Sequence, residues 1–447
     1  MRILIIFPSS GIESEQAVGS RKEPLGACYL SAFLKLHGLQ TKVIDQYIQS
    51  DKSLLEEIHV FKPDIIGFST MTYNYPKALA ISKLAKEKNN RIVTVFGGPH
   101  ASGMPEIVRE KEVDFAVIGE GEETFLELIN FIRKQRIDYE KINGISFLKD
   151  GKVIITPARK RIKNLDDLPF PDRSDLPMDK YTGYGLKYIF KKRLGTIHSS
   201  RGCRGKCTFC STPVTWKGGW FSRSAKSIVD EMEHLRDFYN VDIIFFADED
   251  FFFNKKRVLD ICREIRHRNV SINWSCFSKI SDIDFELLCI IKAAGCISLV
   301  IGVESMNDNS LSQIDKRITR DKIKKAIQCV NKTGLIVEVT YMIGYPWESL
   351  SEMYKGLRLL KRNKIDYVYL NYVIPFPGTP FFNYCYENKL ILTDDFNKYC
   401  CTRPIIKTEF PTSLDYFTLR KKLENNFNNG FLYTRKIRYL LKQIGLH

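Results

Sequence analysis

At 447 residues with 44% hydrophobic content, the chain is long enough for two or three domains with ordinary cores, and no stretch approaches the about 18 apolar residues of a transmembrane helix. The short apolar opening MRILIIFPSS lacks a small-residue cleavage site, so the twelve cysteines point to a reducing, cytoplasmic setting and metal chemistry rather than a disulfide framework. The net charge of +16 gathers in ARKRIKN (Ala158 to Asn164), in KKR (Lys191 to Arg193) and in the tail TRKIRYLLKQ. Such runs serve phosphates, membrane surfaces or simply a solvated face, and no stacking-aromatic RNA-binding motif accompanies them, so no nucleic-acid partner is expected.

From the amino terminus, RILIIF, TKVID, DIIGFS, RIVTVFGG and FAVIG are short apolar runs separated by helix-like stretches such as GACYLSAFLKLHG and YPKALAISKLAKEK. That alternation predicts a doubly wound parallel sheet, whose ligands bind at the carboxyl ends of the strands. Those ends carry Ser69, Thr70, Met71 and Thr72, then Gly97, Gly98, Pro99 and His100, then Gly119, Glu120, Gly121 and Glu122. Glycines there let a bulky ligand approach the backbone, although ordinary turn chemistry uses the same residues. Residues 141–195 read as a connection, with a hairpin turn predicted at Asp150-Gly151 and an extended linker in NLDDLPFPDR.

From 196 to about 380, strands and helices alternate again and give six β/α repeats, short of the eight of a closed barrel. After the first of these strands, Cys203, Cys207 and Cys210 form Cys-x-x-x-Cys-x-x-Cys within SSRGCRGKCTFCSTP. Three thiolates so close together hold three corners of a [4Fe–4S] cluster and leave one iron open. A structural zinc site would need four ligands, and no second pair lies at suitable spacing. His198 reads as packing or an outer contact. Cys262, Cys289, Cys296 and Cys329 read as core residues, and about 381–447 as a small helical segment with adjacent Cys400 and Cys401.

The cysteine loop resembles that of the radical S-adenosylmethionine enzymes, and the downstream sequence is similar to that family over some 180 residues. FFADEDFFFN resembles FxDDxFxxN, with Glu249 at the second Asp. WSCFSK resembles WxCxxR, with Lys279 for Arg, and GCISLVIGVES ends on the matching Gly302, Glu304 and Ser305. YMIGYPWES resembles a strand followed by GxPGE, with Trp347 for Gly. PFPGTP (residues 375–380) completes the set. The amino-terminal region, with its GGPH and GEGE loops, resembles the cobalamin-binding domain of the class B members of that family. It departs from the methionine synthase type in having no DxHxxG, so that motif supplies no histidine to cobalt, and His100 is expected as a loop residue near the corrin or its tail.

The resemblance implies an α/β chain with a cobalamin-binding-like sheet at 1–140, a linker at 141–195, an open six-stranded (β/α)6 partial barrel at 196–380 and a helical extension at 381–447. It implies a [4Fe–4S] cluster on Cys203, Cys207 and Cys210, with S-adenosylmethionine and cobalamin beside it. Phe209 is expected to cover the adenine, Asp248 to bind the methionine ammonium, Glu304 and Ser305 to meet ribose hydroxyls or the amino acid, and Ile343 to Pro346, including Gly344, to offer backbone to the adenine edge. Glu249 and Asp250 are expected as solvated acids. Trp347 puts the usual tight turn in doubt, and Tyr341, Tyr372 and Cys276 are expected toward the cavity. The implied activity is methylation of an unactivated carbon of a small molecule, with an external donor such as flavodoxin or ferredoxin. Cyclisation or rearrangement, methylthiotransferase-type RNA modification and a cobalamin or nucleotide sensor are the alternatives.

Overall fold

The computed structural model describes residues 1–10, 22–181, 193–410 and 415–428. Five apolar runs form parallel strands because both of their faces are covered: β1 (Arg2–Phe7), β2 (Gln40–Asp45), β3 (Ile65–Ser69), β4 (Val93–Gly97) and β5 (Phe115–Val117). Ile3, Ile5 and Val95 enter one core, and Leu4, Ile6 and Ile66 the opposite one. Their order is β2-β1-β3-β4-β5. The winding therefore reverses between β1 and β3, where such sheets open a crevice at their carboxyl ends.

The predicted hairpin is present as β6 (Ile145–Lys149) and β7 (Lys152–Ile155), with Asp150 and Gly151 both at positive φ, as a two-residue turn of the primed type requires. It does not stand apart as a connection. It pairs antiparallel with β5, Ala116 opposite Ser146, and extends the first sheet to seven strands.

The second sheet begins with β8 (Leu194–Ile197). A short antiparallel ribbon of β9 (Ser200–Arg201) and β10 (Phe221–Ser222) follows, and β11 (Ile243–Phe246), β12 (Asn273–Ser278), β13 (Cys296–Glu304), β14 (Ile336–Ile343) and β15 (Tyr367–Tyr372) complete it. The order β15-β14-β13-β12-β11-β8 is the expected open partial barrel of six parallel strands. Side chains alternate along them. Ile244, Phe246, Leu299 and Ile301 pack toward the helices, while Phe245, Val300 and Ile336 face the interior. The helix Ala225–Tyr239 begins where the Ser224 hydroxyl accepts from Ser227 N, and Ser349 and Glu352 form a capping box on Leu350–Lys361.

The free edge of β15 is covered by the helix Tyr416–Asn428. Arg420 donates to Leu370 O at 2.9 Å, and the Asn428 amide brackets Val368 at 3.0 and 3.1 Å. The two sheets are joined by a buried charge network: Arg173 meets Glu231 at 3.0 Å and Glu23 at 3.4 Å, and Glu23 also accepts from Thr196 N at 2.6 Å. Cys262 and Cys296 lie in the core as expected, but Cys289 is exposed and Cys329 only half-buried, each on an outward turn of its helix.

Candidate cluster and cobalamin site

The cysteine loop follows β9 and is pinned at both shoulders: Thr208 N donates to Ile314 O at 3.0 Å, and Phe381 N to Thr208 O at 2.9 Å. Cys203, Cys207 and Cys210 are free thiols, all half-buried. Among the described residues no three His, Cys, Asp or Glu side chains converge on a single ion position. A cubane asks each thiolate for a different corner, so convergence on one point is not required of it. The surroundings suit an anionic cluster. Gly205 N donates to Cys203 Sγ at 3.2 Å, and Lys279 and Lys316 stand beside the loop. Burial pushes the Cys207 and Cys210 thiols up, while the Lys316 charge on Cys207 and a Thr212 hydrogen bond on Cys210 act in the opposite direction.

Around this loop several expectations are corrected. Asp248 does not present a carboxylate to a ligand. It is fully buried and accepts from Ser199 N at 2.7 Å, Ser200 Oγ at 2.7 Å, the Ser199 hydroxyl and Arg257, so it shapes the turn entering the cysteine loop. Glu249 and Asp250 are not solvated. Glu249 faces a cavity between the two sheets, accepts from Trp216 Nε1 at 2.6 Å and from Gly202 N at 3.2 Å, and is pushed up by burial. Asp250 is buried beside Cys203, with Lys279 at 2.5 Å. Tyr341, Tyr372 and Cys276 pack in the layer between the barrel and its helices, on the face opposite the one expected.

Glu304 sits at a bulge between β13 and β14 with φ of 65°, and its Oε1 meets Lys316 Nζ and Thr340 Oγ1, each at 3.2 Å. Ser305 is buried and its hydroxyl accepts from Asn307 N at 3.0 Å, which closes a turn rather than offering itself to a ribose. Gly344 has φ of 80°, and a Cβ there would come within 2.8 Å of the Tyr372 ring. Trp347 leaves the turn intact because its own φ is not positive. It stacks on Tyr345 at 5.4 Å and meets Phe381 edge-on at 6.0 Å. Phe209 packs into the same aromatic group, so the structure brings it together with the segment Gly344 to Pro346. Glu348 is fully buried and, among the described residues, neither oxygen has a donor in good hydrogen-bond geometry; the Ser310 side chain acts on it, but burial outweighs that and pushes it up to about 7.

A cavity of about 510 Å³ lies between the carboxyl ends of β1, β3, β4 and β5 and the upper rim of the barrel. It is lined on one side by Ser69, Gly97, Gly98, Pro99, Gly119, Glu120, Gly121 and Glu122. The other wall is the shoulder of the cysteine loop, Ser211 to Trp216, with His198 and Glu249. Its size falls within the range of small-molecule sites, and the glycine floor leaves room at the backbone, so the residues present fit a corrin.

Thr70, Thr72 and His100 do not reach this cavity. Thr70 Oγ1 donates to Gly97 O at 2.8 Å, and Gly98, at φ of 92°, passes so close that a Cβ would lie 2.7 Å from Thr70 O. His100 turns away from the corrin gap. It is buried between Tyr75 (4.3 Å) and Phe396 (4.9 Å), with Nδ1 3.3 Å from Thr72 Oγ1, and burial holds it neutral at about 3. Glu120 and Glu122 line the cavity, yet their charges are taken by Arg201 at 3.1 and 2.6 Å, and Arg161 adds a second contact to Glu120 at 3.0 Å. Arg201 is the residue next but one before Cys203, so this buried group ties the GEGE loop to the cysteine loop. Arg159, also from the basic run, meets Glu127 and Thr124. Lys191, Lys192 and the basic tail lie outside the described residues.

Sequence reasoning did not single out Tyr29, Trp216 or His198 as cavity residues, whereas Met71, named among the strand-end residues, does line the cavity. Trp216 and His198 face the gap only because the two sheets oppose each other. Burial holds the His198 imidazole neutral, at about 4. Inside the barrel, Lys22 lies 4.1 Å over the Phe245 ring and is brought down by burial to about 8. Glu338, hydrogen-bonded by Tyr369 at 2.5 Å, is pushed up by burial to about 7.

Residues 16–129 match the B12 binding domain family and residues 197–360 the Radical SAM superfamily. The chain is similar to the uncharacterized methyltransferase PH0819 of Pyrococcus horikoshii, at 31% identity over 99% of this chain and 98% of that one. It is also similar to the anaerobic magnesium-protoporphyrin IX monomethyl ester cyclase of Rubrivivax gelatinosus, at 29% identity over 98% of this chain and 79% of that one. The radical S-adenosylmethionine methyltransferase TsrM of Kitasatospora setae, solved with cobalamin and a [4Fe–4S] cluster, shares the fold with a TM-score of 0.70 and 18% identity, over 87% of this chain and 75% of that one. With its two matched domains facing each other across one cavity, the chain belongs to the cobalamin-binding class of radical S-adenosylmethionine enzymes, whose cofactors are a [4Fe–4S] cluster, S-adenosylmethionine and cobalamin.

Proposed function

We propose that this enzyme methylates an unactivated carbon of a small molecule. The observation that carries the reading is the single cavity walled on one side by the glycine loops of the first sheet and on the other by the shoulder of the cysteine loop. When bound, the cofactors supply a 5′-deoxyadenosyl radical for hydrogen abstraction and a cobalt-borne methyl group. The protein's share is placement and exclusion of water. Cys203, Cys207 and Cys210 hold the cluster, and Lys316 and Lys279 balance its charge. Phe209 and the turn Gly344 to Pro346 flank the nucleoside. Ser69, Gly97, Gly98, Pro99, Gly119 and Gly121 cradle the corrin, while Glu120 and Glu122 act through Arg201 to hold that cradle against the barrel. His198, neutral at physiological pH, presents a hydrogen-bonding nitrogen to the cavity without adding charge.

The test is anaerobic purification, cluster reconstitution, incubation with hydroxocobalamin and desalting, with Cys203→Ala as control. Near-equimolar retained cobalamin in both proteins, and S-adenosylmethionine cleavage in the parent alone, are expected. An intact cluster with no retained cobalamin would remove the methylase reading. Cyclisation is the second reading, favoured by the cyclase relative that matches 98% of this chain. Transfer of label from methyl-labelled S-adenosylmethionine into product separates the two. RNA methylthiolation would ask for a second cysteine set near the amino terminus, and residues 1–140 contain only Cys28, which is buried.

A further inference from the structure

Two titratable side chains inside the partial barrel stand apart from the cluster and corrin residues. Lys22 enters from the first domain ahead of the helix Leu25–Leu36, at a point fixed by its neighbour Glu23, whose carboxylate accepts from Thr196 N at 2.6 Å and from Thr196 Oγ1 at 2.9 Å. Its Nζ lies 4.1 Å from the Phe245 ring centre and 5.5 Å from that of Phe277, and the side chain lines the cavity that reaches up to the cysteine loop. Glu338 projects from the third position of β14, in the amino-terminal half of the barrel, where the Tyr369 hydroxyl donates to it at 2.5 Å and Ser298 also acts on it. Lys22 and Glu338 each feel the other's charge. The inward positions Phe277, Thr340, Tyr369 and Asn371 are only half-buried, so the interior is not packed shut.

The charge balance says what would fill it. Glu23 and Glu231 are matched by Arg173 and Arg223, and at the rim Glu304 is matched by Lys316. Asp366, which also acts on Glu338, sits at the foot of β14 and accepts from Val337 N at 2.9 Å. With those acids paired, Lys22 is the surplus cation, and burial favours the protonated form of Glu338 beside it. An arriving monoanion relieves both groups: the ammonium gains a counter-charge, and the carboxyl keeps its proton and donates it. One cation and one such donor suit a single negative charge, and the Phe245 and Phe277 rings beside them suit an apolar body.

We propose that Lys22 and Glu338 form the anchoring site for a substrate carboxylate, so that the small molecule acted on is an amphiphilic carboxylic acid seated beside Phe245 and Phe277 with its reacting carbon toward the cysteine loop. One carboxylate oxygen meets the Lys22 ammonium and the other accepts the Glu338 proton. Tyr369 keeps its bond to Glu338 and fixes that carboxyl in place. The length from the anchor to the cysteine loop then sets which carbon is reached.

The inference deepens the proposed function and rests on its placing the substrate in the barrel, and the experiment keeps the two apart. Full-length enzyme, loaded with cobalamin, S-adenosylmethionine and an oxidised cluster, is titrated with hexanoate, hexanol, hexylamine and hexyl phosphate by calorimetry near neutral pH. Nothing turns over, so binding is read independently of methyl transfer. The parent is expected to bind hexanoate at least about tenfold more tightly than the other three. Lys22→Met and Glu338→Leu are expected to lose about tenfold for hexanoate and nothing for hexanol, Glu338→Gln, which keeps a donor, to stay within about threefold of the parent, and Lys152→Met on the distant hairpin to match it. No hexanoate binding by the parent, hexanol or hexylamine binding as tightly, hexyl phosphate binding more tightly, or an equal loss in Lys152→Met would overturn the anchoring site. Failure to retain cobalamin or to transfer methyl label, with hexanoate binding intact, would strike the proposed function and leave this site standing.

Discussion

Glu348 shows how a single buried group carries a measurable cost. Its carboxyl is buried with Ser310 as a weak donor beside it, and its folded value of about 7 lies above the ordinary 4.5. The folded state therefore holds the proton more tightly than the unfolded one, and stability falls as pH rises from 4.5 to about 7 and stays low above it. That interval corresponds to about 3 kcal/mol at most. Glu348→Gln is expected to match the parent in thermal melts near pH 4 and to exceed it near pH 8, and equal curves at both values would show that the Ser310 contact offsets the burial. Gly98 is the opposite case, a residue required for its lack of a side chain. Gly98→Ala places a Cβ 2.7 Å from Thr70 O at positive φ. A loss of about 1–3 kcal/mol is expected, with lower cobalamin retention and unchanged cluster absorbance. Phe209 was legible as an aromatic within the cysteine motif. The role expected of Asp248 was not, because the competing donors come from Ser199, Ser200 and Arg257, which the chain brings together only in the fold.

At the scale of elements, strand ends decide which loop residues meet a ligand. The alternation of strands and helices placed the GGPH and GEGE loops at the carboxyl ends of the strands but left ordinary turns open, and the resemblance to a cobalamin-binding domain made them cavity loops. Within them the pattern does not say which side chain turns in. His100 and Thr72 go down into an aromatic pocket completed by Phe396, some 300 positions later in the chain. Glu120 and Glu122 meet Arg201 across the domain boundary. Arg201→Met would leave Glu122 buried without its partner, at a cost of about 3–5 kcal/mol. Adding Glu122→Gln is expected to restore part of the loss, since the uncompensated charge is then gone. A double-mutant cycle read by denaturant unfolding checks it, and strict additivity would deny the contact. The hairpin at Asp150-Gly151 was readable to the residue from its turn chemistry, whereas its pairing with β5 was not, because strand partners are set by packing rather than by the turn.

For the whole molecule, the charge group Glu23, Arg173 and Glu231 is buried where the two sheets meet. Arg173→Met removes the cation shared by the two carboxylates, leaving Glu231 to Arg223 and Glu23 to the Thr196 donors alone. Two separate transitions are expected in calorimetry where the parent gives one, and a single transition shifted down would assign Arg173 to local stability instead. By itself the amino-acid sequence determined the cysteine loop, the order of two α/β units and the six barrel strands. These depend on local spacing and on periods of 2 and 3.6, which survive in one dimension. Only the tertiary structure decided that one cavity is shared by both units, that Trp216 and His198 complete it, and that the acids of the GEGE loop are paired with arginines. The reason is physical: burial and pairing of a charge depend on which distant groups the two opposed sheets bring within a few ångströms, and no local pattern encodes that distance.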